Sequence, residues 1–142
     1  MAPVQRLMPT EIGEELIELT RDICAKELAP RVDEAERRAR DNGEFPREVF
    51  DILGRAGLIS LPQPEEYGGA GLGNLELALV LEEINRACAS TGVTLSVHNS
   101  LLGAPLRRFG NDEQKRAWLP DLASGKRIGA YCLTEPNSGS DA

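Results

Sequence analysis

The apolar residues of this chain recur at the spacing of an α-helix over most of its length. Near the N-terminus, four of them lie on one helical face, at intervals of four, three and four residues: Ile12, Leu16, Leu19 and Ile23. Thr10 predicts the cap of this helix, because its hydroxyl can accept a hydrogen bond from a backbone N–H of the first turn. Pro30 is expected to kink or end the helix, since its ring clashes with the preceding turn.

Two segments after Pro30 predict further helical structure. Residues 31–43 are polar on nearly every side, which predicts a solvent-exposed helical extension ending at Asn42-Gly43. Residues 46–53 carry a short apolar face behind Pro46, a favourable first residue of a helix.

A loop and a central helix are predicted next. Residues 61–73 are rich in glycine and proline and predict an ordered loop, with Tyr67 and Leu72 packed inward. Residues 75–89, capped by Asn74, carry apolar side chains nearly all round, which indicates a buried helix at the centre of the fold.

Residues 92–98 fit two patterns. The alternation of apolar and polar positions is typical of a strand, whereas Val93, Val97 and Leu101 stack at helical spacing. We favour a helix because helices surround the segment. Residues 105–109 then predict a short helix, and Asn111 predicts the cap of another that ends before Ser124 and Gly125.

The period of the pattern changes at Ile128. Residues 128–133 alternate between two sides, which predicts a strand of small or apolar residues. Because one strand cannot satisfy its own hydrogen bonds, its partners are expected outside this chain. The fold class predicted is therefore all-α: an up-and-down helical bundle over residues 1–125, followed over residues 126–142 by the first strand of a truncated β-domain.

Composition adds limits on function. The chain of 142 residues has a net charge of −7, which argues against nucleic acid or an anionic membrane as a partner. Three distant cysteines and one histidine predict reduced, buried thiols, with neither a metal site nor a disulfide framework: Cys24, Cys88, Cys132 and His98. Residues 1–15 lack the pattern of a signal peptide, and no apolar run is long enough to span a bilayer, so we expect a cytoplasmic protein.

The final residues, "LTEPNSGSDA", carry the candidate chemistry. Thr134 offers a hydroxyl at the end of the predicted strand, and Gly139 allows close approach of the backbone to a bound group. The hydroxyl and amide of Ser140 could join a cluster of donors for a phosphate or a polar ring edge. The same residues also form ordinary hairpin turns, so the pattern leaves both interpretations open.

The stretch "YCLTEPNSGSDA" resembles the flavin-binding signature of the acyl-CoA dehydrogenase family. Three other stretches match that family in order and at suitable spacing: "EEYGGAGLG", "LSVHNSLL" and "RFGNDEQKRAWLPDLASGKRIGAYCLTEP". The resemblance covers the chain from about residue 10 onward and is greatest with the short-chain (butyryl-type) members.

The resemblance implies a flavoenzyme of three domains: an N-terminal helical domain, a middle β-domain and a C-terminal four-helix domain. In such an enzyme, FAD lies between domains and across a subunit interface of a homotetramer. A glutamate removes the α-proton of an acyl-CoA thioester while a hydride passes to the flavin, giving a trans-2-enoyl-CoA. The electrons then leave to an electron-transferring flavoprotein.

Site residues follow from the same resemblance. Tyr131, Cys132, Leu133 and Thr134 match the segment against the flavin ring, whose polar edge would bind the Leu133 backbone and the Thr134 hydroxyl. Two residues match the turn beside the pyrophosphate and the CoA, and the second is expected to contact both FAD and substrate: Gly139 and Ser140. Two others match the helix that floors the acyl pocket: Val97 and Leu101.

No catalytic residue is assigned to this chain, because the family's base belongs to the C-terminal domain. Glu135 is therefore interpreted as structural, and His98 as a packing or surface residue. On this interpretation the 142-residue chain alone is expected to be inactive. Two alternatives stay open: a related acyl-CoA oxidase or nitroalkane oxidase fragment, and a helical interaction module without catalysis.

Overall fold

The computed structural model describes residues 10–141, a range that forms α-helices joined by two π-helical segments and short loops. The elements run in this order: α1 (Glu11–Ile23), a π-helical segment (Cys24–Leu28), α2 (Ala29–Asn42), α3 (Arg47–Arg55), a 3-10 turn (Glu65–Tyr67), α4 (Asn74–Ala87), α5 (Ala89–Val97), a second π-helical segment (His98–Gly103), α6 (Ala104–Phe109) and α7 (Asp112–Ala123). The all-α prediction is confirmed. Residues 1–9, most of the stretch for which a signal peptide was excluded, lie outside the described range.

Helical backbone continues past Pro30 through a π-helical segment into α2, so of the two expected outcomes, a kink or an end of the helix, the end is wrong. Between α1 and α2 the Ala29 N–H donates to the Cys24 carbonyl, five residues back instead of four. This wider turn separates α1 from α2, where Pro30 is one of the first two residues and has no intrahelical N–H bond to lose. The polar extension ends at Asn42, as predicted, with Gly43 in a left-handed conformation at φ 68°.

Only half of the predicted apolar face of α1 packs inward: Leu16 and Ile23 contact the core and are half-buried. The buried residues of α1 are Gly13, Ile17 and Thr20, whereas Ile12 and Leu19 are 41% and 44% exposed. Gly13 explains which face of α1 is buried, because even a Cβ at this position would lie 3.1 Å from Leu79 Cδ1 of α4. The two helices therefore pack closely where glycine permits it. The predicted cap is confirmed, with the Gly13 N–H donating to Thr10 Oγ1 at 3.2 Å.

The core lies where α3, α4 and α5 meet. α4 contributes two side chains with no exposed surface, Val80 and Ile84, and it contacts α1 and α5, which confirms its central place. Phe50 and Leu53 of α3 and Leu95 of α5 close the same core. Burial of these side chains is the main stabilising contribution to the bundle.

The predicted loop and the ambiguous segment both have the expected form. In the loop, Leu72 packs against the core, and its N–H donates to the Leu61 carbonyl at 3.0 Å, while Tyr67 is half-buried. The ambiguous segment is helical, as favoured, and forms most of α5. Asn111 caps α7 by accepting the Gln114 N–H at 2.8 Å.

The predicted strand at residues 128–133 is not confirmed. Within residues 10–141 this segment has no ladder partner, and the one bridge described there joins Glu135 and Ser138. Unpaired backbone cannot form a strand, whatever its pattern of side chains. No helix in the described range is long and apolar enough to cross a membrane. Cys24 and Cys88 are buried as expected, but Cys132 is exposed.

Candidate functional site

An open groove runs between α5 and the segment that follows α7. Its volume is about 500 Å³ and its walls are mainly apolar. One wall comes from α5 and the other from the start of the terminal segment. Phe45, just before α3, and Arg47, its first residue, complete the lining. The lining residues are Phe45, Arg47, Val93, Thr94, Val97, Ile128, Gly129, Ala130 and Tyr131.

The groove brings together one residue from each predicted wall of the site. Val97, predicted to floor an acyl pocket, and Tyr131, predicted to touch a flavin ring, line the same space. Leu101 lies in the π-helical segment after α5 and is 42% exposed, outside the groove lining. The groove therefore unites part of the predicted acyl wall with part of the predicted cofactor wall.

After Tyr131 the chain leaves the groove, and residues 131–134 are all exposed, with Tyr131 at 53% and Leu133 at 49%. Within the described range, neither their backbone groups nor the Thr134 hydroxyl has a hydrogen-bond partner in the protein. Free donors and acceptors beside apolar side chains are suited to a planar ring with a polar edge. The donor set at Cys132, Leu133 and Thr134 thus fits an isoalloxazine ring.

The predicted pyrophosphate turn closes on itself. Glu135 and Ser138 exchange backbone hydrogen bonds of 2.7 and 3.2 Å, and the Ser138 hydroxyl donates to the Asp141 carbonyl at 2.8 Å. Gly139 is half-buried, and a Cβ there would meet only the methyl of Thr134, at 3.9 Å. Ser140 is exposed. The turn places Gly139 next to Thr134 and leaves Ser140 accessible.

His98, expected from the sequence to be a packing or surface residue, makes three polar contacts in the structure. Its side chain has no exposed surface. The Gly129 N–H donates to Nδ1 at 3.0 Å, and Nε2 lies 3.1 Å from Ser60 Oγ and 3.2 Å from the Leu122 carbonyl. Because a backbone N–H can only donate, Nδ1 is the acceptor and Nε2 carries the proton. The neutral ring therefore bridges the end of α7 to the wall of the groove.

Burial lowers the pKa of His98 below its ordinary value of 6.5, and the hydrogen bond to the Leu122 carbonyl opposes this only in part. The environment thus favours the neutral imidazole that the three contacts require. Acid–base catalysis would need the ring to reach a substrate, but it is enclosed.

Stability is expected to fall with acid through His98. Since the folded pKa lies below 6.5, the unfolded chain binds more protons at this position between the two values, so stability is full above about pH 6.5 and is lost as the pH falls below it. Urea unfolding at about pH 7.5 and about pH 5.5 should show a steeper loss for the parent chain than for His98→Asn, which cannot titrate there. Equal losses would contradict the assignment.

A sequence signal for this network existed. Ser60 interrupts a run of apolar residues, Leu58, Ile59 and Leu61, that are all buried, and a buried hydroxyl requires a partner. Only the fold identifies that partner, 38 positions away. Arg47 was also missed: it borders the groove, pairs with Asp51 at 2.9 Å and donates to the Gly125 carbonyl.

Comparison with known proteins supports the family resemblance found in the sequence. The family model described as "Acyl-CoA dehydrogenase, N-terminal domain" matches residues 10–126. The human mitochondrial short-chain specific acyl-CoA dehydrogenase is 43% identical over 132 residues, which cover 93% of this chain and 31% of the human protein.

Two solved structures have the same fold over nearly the whole chain. The butyryl-CoA dehydrogenase of Megasphaera elsdenii aligns with a TM-score of 0.82 and 34% identity, covering 96% of this chain and 36% of that chain. An acyl-CoA dehydrogenase from Bacillus anthracis, complexed with FAD, aligns with a TM-score of 0.83 and 34% identity, covering 95% and 23%.

This chain spans about a third of the length of the curated relatives it matches. The family match itself covers most of the chain, from the cap of α1 to the residues just after α7. Sequence identity and fold lead to the same assignment: the chain belongs to the acyl-CoA dehydrogenase N-terminal domain family.

Proposed function

We propose that this chain supplies one wall of the FAD and acyl-CoA site of a flavin-dependent acyl-CoA dehydrogenase, which oxidises an acyl-CoA thioester to a trans-2-enoyl-CoA. The observation that carries the proposal is the groove in which Val97 and Tyr131 face the same space. A dehydrogenation of this kind needs the acyl chain and the flavin to meet, and the groove joins their two predicted walls.

The residues of the chain have separate tasks in this proposal. The apolar wall of Val93 and Val97 would hold the acyl chain and exclude water. The Thr134 hydroxyl and the Leu133 backbone would bind the polar edge of the flavin. Bound FAD would supply the hydride acceptor. Glu135 is exposed and held in its turn by Ser138, so the base is not assigned to it.

The wider assembly belongs to the same proposal. An electron-transferring flavoprotein as electron acceptor, a homotetramer and a role in fatty acid β-oxidation stay predictions that follow from the family. The cytoplasmic location stays a prediction from the sequence pattern alone. The division near residue 125, with a helical domain before it and a β-domain after it, also stays a prediction. In its support, α7 ends at Ala123, and the helical pattern does not resume within the described range.

A graft tests the proposal directly. Residues 10–142 would replace the aligned residues of the Megasphaera elsdenii butyryl-CoA dehydrogenase. We expect the graft to bind FAD and to bleach the flavin absorbance when butyryl-CoA is added without oxygen. The 142-residue chain alone, with the same additions, serves as the control and should do neither. A folded graft that leaves the flavin oxidised would refute the proposal.

In the same graft, Thr134→Val is expected to weaken FAD binding or shift the flavin potential. The change removes one hydroxyl and leaves a polar edge of the ring unpaired, a cost of about 1–3 kcal/mol. Thr20→Val is the matched control, because Thr20 is buried in α1 and bonds only to the Leu16 carbonyl, at 2.6 Å. Equal FAD affinity, potential and turnover in both variants would remove Thr134 from the site.

A further inference from the structure

We propose that His98 is a positioning residue that ties the candidate acyl-binding helix to the candidate flavin-facing segment and sets the register of residues 130–134. The proposal rests on the proposed function above, because it assigns His98 a task within that site. It differs from the packing role expected from the sequence, since it depends on one particular ring atom, Nδ1.

The argument begins with the place of Gly129. This residue is buried, and its N–H donates to His98 Nδ1 at 3.0 Å. Its α-carbon lies against Leu102, so closely that an added Cβ would be 2.3 Å from Leu102 Cδ2. From Ala130 to Asn137 every residue is exposed. Gly129 is therefore the last fixed point of the segment before it leaves the bundle.

Register explains why such a fixed point matters. In the strand that the sequence predicts for residues 128–133, successive side chains would point to opposite sides, so a slip of one residue would exchange the sides of Tyr131 and Cys132. Leu133 and Thr134 would exchange in the same way. Within the described range, residues 131–134 have no hydrogen bonds that could resist a slip. Within the same range, the bond from Gly129 to His98 is the last hydrogen bond that ties this segment to the helical bundle.

His98 also fixes the other side of the groove. It follows Val97 directly and begins the π-helical segment that contains Leu101, so its ring projects from the predicted acyl wall. Helical segments of this kind are frequent at functional sites, because they redirect side chains. One buried ring thus sets the separation of the two walls, and Nε2 secures it to Ser60 and the end of α7.

Two isosteric variants separate the two ring nitrogens. Asn places an oxygen near the position of Nδ1 and can still accept the Gly129 N–H, whereas Gln places its amide nitrogen near Nε2 and can still donate to Leu122. A role in packing alone would disturb His98→Asn, which has the smaller side chain, at least as much as His98→Gln. A positioning role through Nδ1 predicts that His98→Asn resembles the parent chain and that His98→Gln does not.

The first measurement is amide hydrogen exchange by NMR in the 142-residue chain. We expect exchange at Gly129 to be about tenfold faster in His98→Gln than in the parent, and within about threefold of the parent in His98→Asn. The Leu95 amide, in the buried core of α5, reports global opening and corrects for lost stability. Equal exchange at Gly129 in both variants would overturn the proposal.

The second measurement is FAD affinity in the graft. We expect the parent graft and the His98→Asn graft to bind FAD with equal affinity, and the His98→Gln graft to bind it about tenfold more weakly. Equal FAD affinity in the two variants, with the exchange difference present, would overturn the positioning role and leave only a structural bond. If the graft with the unaltered His98 does not bind FAD, the proposed function is refuted, and the positioning role with it. The exchange data would still show whether the bond between His98 and Gly129 exists.

A measurement on the unaltered chain covers the case in which neither variant folds. The ¹⁵N chemical shifts of the His98 ring should show an unprotonated Nδ1 and a protonated Nε2. A scalar coupling should be detectable across the hydrogen bond between Nδ1 and the Gly129 N–H. A proton on Nδ1 would overturn the proposal, because that atom could not then accept the bond.

Discussion

Replacing Phe50 by alanine is expected to destabilise the fold by about 3–5 kcal/mol. Phe50 is 1% exposed in the core where α3 meets α4 and α5. Its ring also stacks on Phe45, with centroids 5.0 Å apart and planes at 23°. Alanine would leave a cavity in this core, remove the ring contact and release Phe45, which lines the candidate groove.

Urea unfolding followed by far-ultraviolet circular dichroism measures this loss, because the bundle is mainly helical. Phe109→Ala is the matched control: its side chain is 77% exposed, and its one described ring contact is with Arg108, at 5.4 Å. That variant should change the free energy of unfolding by no more than about 0.5 kcal/mol. Similar losses in the two variants would mean that the core does not lie at Phe50.

Gly129→Ala is expected to have the second large effect and to act on the site. The new Cβ would lie 2.3 Å from Leu102 Cδ2 and 2.9 Å from Leu102 Cβ. Since the second atom is not the end of a flexible side chain, the segment itself must move. Overpacking of this kind costs about 1–3 kcal/mol. The movement would also lengthen the Gly129 bond to His98 and displace Tyr131 from the groove.

A compensating change tests this cause. Leu102→Ala removes the atoms beyond Cβ with which the new methyl would collide. The double variant should therefore recover part of the stability that Gly129→Ala loses in the chain and part of the FAD affinity that it loses in the graft. Gly139→Ala is the fold control, because a Cβ there meets only Thr134 Cγ2, at 3.9 Å. The idea fails if Gly129→Ala unfolds at the same urea concentration as Gly139→Ala, or if Leu102→Ala adds its full cost to the double variant.

Local structure in this chain could be predicted from the sequence, because its signals lie within a few residues of each other. The caps at Thr10 and Asn111, the helix end at Gly43 and the buried α4 all depend on side chains within one or two turns of the helix. The same holds for the helical character of α5, where the spacing of apolar residues outweighed their alternation. The existence and type of these elements were predicted correctly from the pattern alone. The predicted cap of α4 was wrong, because α4 runs Asn74–Ala87 and Gly73 is its cap.

The predictions about neighbours were less successful. Two stripes on α1 have helical spacing, and the one that became buried was selected by close packing of Gly13 on Leu79, which lies in a helix more than sixty residues away. Pro30 was expected to kink or end its helix, but the helical backbone continues past it through a π-helical segment. The exposure of Cys132 likewise follows from the course of the terminal segment and not from residue type.

The candidate site divides in the same way. The motif that ends the chain, with Thr134, Gly139 and Ser140, was readable as a cofactor segment because its similarity to a known family is a property of the sequence. The sequence did not reveal the bond between His98 and Gly129, which are 31 positions apart, or the groove that joins Val97 to Tyr131. The sequence determined which residues could bind a cofactor or substrate, because residue types fix the chemistry of the side chains and local spacing fixes where helices form. Only the tertiary structure decided which of them meet, because contacts between distant segments depend on how the helices pack.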